Sequence, residues 1–253
     1  MKKETILKSN LRNSGGSRKN GNSSSGITKY YDEPGKKLIW ISLLIIICIT
    51  VVSYSPSFKN TFTNWDDEAY TINNPLIREI SLQRTEDIFF GKGKFLMGNY
   101  HPLTVISLSI DYKLSKTGFL AGTGKSLRTG TLEIKHYDLE PLIFIIHNLV
   151  LHLLSIIILF WCIYLMTRKY LISILVAALF AIHPMHVESV TWIAERKDVL
   201  YSFFFLLSLL LYINYINLKQ TRWYFLSLVL FIFALFTKGQ AVTLTIVLFL
   251  TDY

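Results

Sequence analysis

The sequence predicts an all-α integral membrane protein, and three observations predict it. Apolar residues fill 51% of the 253 positions and charged residues only 17%, a balance foreign to soluble domains. Uncharged apolar runs recur along the chain, and ~20 such residues in a helix cross ~30 Å of hydrocarbon. The formal charge of +9 would suit nucleic acid, yet the Lys and Arg residues form no stripe with interleaved aromatics. They gather in the N-terminal tail or beside apolar runs, as topology signals do, which excludes nucleic acid as a partner. Cys48 and Cys162 lie inside apolar segments, so neither a disulfide nor a redox compartment follows from them.

Residues 1–37 carry nine Lys or Arg against three acids and include "NSGGSRKNGNSSSG", too polar to bury a core; they predict a disordered basic tail. The first transmembrane helix follows at 38–55, and the basic tail ahead of it predicts a cytoplasmic N-terminus. A cleaved signal peptide is the competing reading, but the charged region is too long and no Ala-x-Ala site follows. Residues 56–141 then form an extracytoplasmic loop with an acidic motif and an insertion near 116–135. Within it "NYHPLTVISLSIDYKLS" has Pro102 at a first helical position and Leu103, Ile106, Ile110 and Leu114 at helical spacing. Ile106, Leu108, Ile110 and Tyr112 also alternate as in a strand. The reading taken is a helix on the outer membrane face with His101 at its entrance. "GFLAGTGKS", Gly118 to Ser126, imitates a P-loop, but Phe119 stands where glycine is needed and no buried strand precedes it.

Residues 142–253 read as transmembrane helices of a truncated bundle. Leu142 to Met166 is a full span. Leu171 to Ile182 gives only about 18 Å of helix at ~1.5 Å per residue, and Pro184 biases His183 away from the helical region. Non-helical backbone at this depth requires surrounding protein or a water-filled cavity. The segment from His183 to Asp198 is therefore read as pocket-lining, with His183, His186, Glu188 and Asp198 in the wall. Val199 to Ile216 is the next span. "WYFLSLVLFIFALF" and "AVTLTIVLFL", broken at Thr237 to Gly239, are two tilted spans or a re-entrant pair. His147 and His152 sit on different faces of one apolar helix and predict helix–helix hydrogen bonds.

Two clusters carry candidate chemistry. Asp66, Asp67 and Glu68, between Trp65 and Tyr70, are either a solvated turn or a carboxylate raised by interfacial desolvation into a useful base. Glu195, Arg196, Lys197 and Asp198 either mark the water boundary before a span or, through the two cations, hold a phosphate. His183 and His186, three apart around a proline, lack zinc-motif spacing, so no metal is predicted.

In order, "NWDDEAY", "NYHPLTVISLSIDY", "HNLVLHLLS", "HPMHVESVTWIAERKDVL" and "FTKGQAVTLTIVLFLTDY" resemble the N-terminal half of GT-C membrane glycosyltransferases. The branch is the one fused to tetratricopeptide repeats and akin to the TMTC protein O-mannosyltransferases. The resemblance runs from about Asn60 to Tyr253, and its most specific part is the block around "HPMHVESVTWIAERKD". It implies a GT-C-type polytopic helical bundle whose long first extracytoplasmic loop carries short interfacial helices. It implies a mannose-like sugar, a polyprenyl-phosphate donor, a protein or glycan hydroxyl as acceptor, no cofactor, and a bacterial inner or endoplasmic reticulum membrane. It assigns acceptor activation to Asp66 and, less directly, Asp67. A phosphate is already a good leaving group, so one base suffices, with Arg196 and Lys197, helped by His101 and Lys238, holding the phosphate; a single displacement inverts the anomeric centre. The insertion, the absent repeats and the absent later helices depart from that pattern. A transporter or lipid flippase using histidines and acids as a relay, and a non-catalytic scaffold, are the alternatives; the spans hold almost no acids, which counts against a relay.

Overall fold

A computed structural model of the protein describes residues 35–91, 94–116 and 139–252. The basic tail up to residue 34 and the insertion with its P-loop-like stretch, residues 117–138, lie outside them. The first helix, α1 (Lys36–Tyr54), is predominantly apolar after its two opening lysines and runs into a 3-10 turn, Ser55–Lys59, with Pro56 in its first turn. The loop segment begins with the acidic turn and a π-helical stretch, Glu68–Ile72. Helix α2 (Leu82–Phe90) follows, opened by the Ser81 side chain accepting from the Arg84 N–H. A hairpin of β1 (Phe95–Leu96) and β2 (Asn99–Tyr100) leads to α3 (Pro102–Lys116). Its antiparallel register pairs Phe95 with Tyr100 and Leu96 with Asn99.

Helices α4 (Pro141–Thr167), α5 (Tyr170–Ala181), the short α6 (His186–Thr191), α7 (Arg196–Leu218), α8 (Thr221–Thr237) and α9 (Leu244–Asp252) complete the chain. Among the described residues three stretches are long and apolar enough to cross a membrane: Lys36–Lys59, Pro141–Thr167 and Ile193–Leu218. The protein is thus an all-α membrane protein. Helix α4 is central and packs on α1, α3, α5, α6 and α7.

Small and polar residues bring the helices together, as expected where apolar surface alone gives no preference for protein over lipid. Ser173, Ala177 and Ala181 form the buried stripe of α5, and the two alanines meet Ile39, Leu43, Ile156 and Phe160. Helices α7 and α8 are joined by reciprocal bonds, Ser208 Oγ to Ser227 O at 2.8 Å and Ser227 Oγ to Ser208 O at 2.9 Å. The histidines of α4 do bridge helices: His152 Nε2 meets the Ala181 carbonyl at 3.1 Å, and His147 Nδ1 meets Asp111 Oδ1 at 2.5 Å.

Helix α3 has the helical form taken from the sequence, and it packs with a largely polar face inward. Of its apolar stripe Ile110 and Leu114 are exposed, Leu103 and Ile106 are half-buried with Ile106 against the core, and Thr104, Ser107, Asp111 and Ser115 are buried. The reason is Arg196, which needs acceptors in the interior; a buried guanidinium without them costs far more than an outward-facing isoleucine beside lipid.

Candidate active site

The acidic turn is built on Asp67. Its carboxylate is almost fully buried and accepts from Thr63 N at 2.9 Å, Thr63 Oγ1 at 3.0 Å and the Ala194 N–H at 2.8 Å. Trp192 Nε1 donates in turn to Thr63 Oγ1 at 3.2 Å. Burial pushes the Asp67 carboxyl above its ordinary range, and the bonds from Thr63 and Ala194 pull the other way. This carboxylate therefore ties the first loop to the turn ahead of α7. Asp66, its neighbour, is half-buried, and among the described residues no group hydrogen-bonds its side chain. Beside the turn, Lys59, Asn60, Thr63, Asp67 and Trp192 line an open cavity of about 510 Å³.

Tyr70 joins this turn to a second group of residues. Its buried ring stacks on His101, with centroids 5.3 Å apart, and Lys197 Nζ stands 5.0 Å from the ring centre. Burial first, then the charges of Asp66 and Glu195, push the Tyr70 hydroxyl up. His101 is held down to about 4 by burial and then by the charges of Lys197 and Lys238. Its Nε2 is buried and meets no hydrogen-bond partner among the described residues, an uncommon state for an interior polar atom. Each lysine is paired: Lys197 with Glu195 at 2.8 Å, and Lys238 with Asp198.

Arg196 faces the other way. It is completely buried, and its N–H groups reach the Ser107 hydroxyl at 2.9 Å, the Phe144 carbonyl at 2.8 Å, Asp111 and the Asn148 side-chain oxygen. A guanidinium so fully engaged by protein has no donor to spare for a phosphate in this arrangement.

Among the residues read as pocket-lining, His186 and Asp198 share the wall of a cavity of about 120 Å³ with His152, Phe180 and Lys238. His183 and Glu188 are exposed outside that wall, and His183 Nδ1 accepts from the Met185 N–H, closing the turn around Pro184. No group of three His, Cys, Asp or Glu among the described residues could hold a metal ion.

Sequence reasoning gave no site role to Thr63, Trp192, Ser107, Asp111 or Asn148, and it noted Tyr70 only as a neighbour of the acids. For Asp111 a signal existed, since it is the one acid within "LTVISLSIDY"; for Ser107 and Asn148 none did.

The chain is similar to human protein O-mannosyl-transferase TMTC1, 29% identical over 167 residues that make up 63% of this chain and 16% of the relative. It is similar to human TMTC4, 29% identical over 212 residues, 79% of this chain and 27% of the relative. To mouse TMTC3 it is 31% identical over 115 residues, 45% of this chain and 10% of the relative. These are the proteins to which the motifs pointed, and the chain spans roughly a quarter of their length or less. No family model and no solved structure matches.

Proposed function

We propose that this chain belongs to a membrane-embedded GT-C glycosyltransferase. It moves a mannose-like sugar from a polyprenyl-phosphate donor to a protein or glycan hydroxyl on the extracytoplasmic face. The likeness to O-mannosyl-transferases supports the reaction class. One observation supports the site: the buried, unpartnered Nε2 of His101 beside the charges of Lys197 and Lys238, joined through Tyr70 to the acidic turn. A neutral imidazole N–H and two ammonium groups suit a phosphate that gains charge as its bond to the anomeric carbon breaks. To receive it, Lys197 and Lys238 exchange Glu195 and Asp198 for phosphate oxygens.

Asp66 is the base in this reading. It is half-buried without a hydrogen-bonding neighbour among the described residues, so it is free to take the proton of the acceptor hydroxyl as the oxygen attacks. Asp67 is the positioning residue that fixes the turn to Ala194. Arg196 moves from phosphate ligand to anchor of α3. A transporter is the weaker reading: His147 meets a carboxylate, but Asp111 is already committed to Arg196.

The test is sugar transfer by the full-length protein in membranes from a polyprenyl-phosphate mannose donor. Asp66→Asn should lose about 10²- to 10⁴-fold in rate, the contribution of a general base. Lys197→Gln should weaken donor binding about ten- to a hundredfold. Near-parent transfer by Asp66→Asn beside an inactive Asp67→Asn would shift the base by one residue. Full activity in both would return the cluster to a solvated turn and end the mechanism.

A further inference from the structure

The hairpin between α2 and α3 carries a surface that the proposed reaction does not use. Its two-residue loop is Met97 and Gly98, both at positive φ, 51° and 79°. That conformation matches the twist of a hairpin and favours Asn or Gly. Methionine there is costly and does nothing for the turn. What it does is carry a long apolar side chain at the outermost point of the loop, 60% exposed, beside Phe95 at 58%. Phe90, at the end of α2, is exposed at 78%. Lys94 Nζ stands 5.4 Å from the Phe95 ring centre, a cation at the rim of an aromatic tip, as side chains arrange themselves at a lipid headgroup boundary.

The root of the hairpin fixes its height. The Phe236 ring, near the end of α8, packs on Phe89 at 5.4 Å and Tyr100 at 6.3 Å, and Tyr100 packs on Phe95 at 5.9 Å. Thr104 Oγ1 also bonds the Thr237 carbonyl at 3.2 Å, holding the start of α3 to the same point. Helix α8 ends there, and the next residue is Lys238, paired with Asp198. The aromatic ladder thus starts where the apolar helix gives way to charge. Below it α8 presents Phe225, Val229, Ile232 and Phe233 outward, so the tip continues an apolar wall.

We propose that this hairpin is a membrane wedge: Phe95 and Met97 insert into the headgroup and upper acyl region of the bilayer leaflet at the Arg196 end of α7. The occupant is phospholipid, because apolar tip, rim cation and continuity with the α8 wall all match the interface, and a wedge of this size reaches roughly 5–10 Å below the headgroups. The inference does not depend on the glycosyltransferase reading.

The test uses the full chain in phospholipid nanodiscs with Cys48→Ser as background, Cys162 being fully buried. Met97→Cys is labelled with an environment-sensitive fluorophore, and Glu86→Cys, on an exposed position of α2, serves as the control. The expected result is blue-shifted emission at position 97, quenched several-fold more by shallow spin-labelled lipid than by iodide, with the reverse at position 86. Quenching at position 97 by iodide alone puts the tip in water and overturns the wedge. Protection from both quenchers means that protein covers the tip, and overturns it equally.

Discussion

At neutral pH the His101 imidazole is uncharged, since burial and the two nearby lysines hold its pKa at about 4 against an ordinary 6.5. The folded chain therefore binds that proton more weakly than the unfolded chain. The resulting stability is full above pH 6.5 and is lost as pH falls from 6.5 toward 4, by at most about 3 kcal/mol. Asp67 has the opposite sign: its carboxyl is raised, so its protonation favours the folded chain and offsets part of the loss in the acid end of that window. Thermal midpoints in detergent between about pH 7.5 and 5 should decline, and His101→Gln should flatten the decline. An unchanged slope in the variant would assign the acid sensitivity elsewhere. The residue types at this site were legible, because a histidine before a proline and lysines at span boundaries stand out in an apolar chain. The unpartnered nitrogen was not, since it is defined by what surrounds His101 from three other segments.

Among the helices, α3 depends most on one side chain. Arg196 of α7 reaches Ser107 and Asp111 on α3 and the Phe144 carbonyl and Asn148 on α4, so one guanidinium fastens three helices. Removing it leaves Asp111 as a buried charge with only His147 beside it, a loss of about 3–5 kcal/mol for breaking such a pair from one side. Arg196→Gln should lower the thermal midpoint and speed hydrogen exchange in α3, while Lys197→Gln should leave both near the parent. Replacing both charges, Arg196→Met with Asp111→Leu, should recover much of the stability. If Arg196→Gln leaves α3 as protected as in the parent, the anchor lies elsewhere. The helical spacing of α3 was readable in the sequence, but its orientation was not. Periodicity marks two faces without saying which environment each one meets, and in a bilayer both lipid and protein accept an apolar stripe.

For the whole molecule, a prediction of sidedness follows from the basic tail and from antiparallel helix packing. The acidic turn, the hairpin and the start of α7 share one end, and Arg168, Lys169 and Lys219 mark the other ends of α4, α5 and α7. The tail predicts that the first of these ends is extracytoplasmic. Glu79→Cys, at an exposed loop position, should react with an impermeant thiol reagent in intact cells in a Cys48→Ser background. Lys169→Cys should react only after the membrane is opened. The reverse pattern would invert the topology and remove the proposed reaction from its face.

What the sequence determined by itself was the helical, membrane-protein nature of the chain, the positions of its long apolar helices to within a few residues, and which acids and cations it carries. The physics there is local: a run of ~20 apolar residues has to satisfy its backbone internally in lipid, and a helix is how it does so. Tertiary structure alone decided which of two adjacent cations faces inward. Successive residues on a helix diverge by about 100°, so Arg196 points into α3 and α4 while Lys197 points toward Tyr70 and Glu195. Their roles separate because the acceptors that capture Arg196 come from residues 107, 111, 144 and 148, on helices that meet only after the bundle has formed.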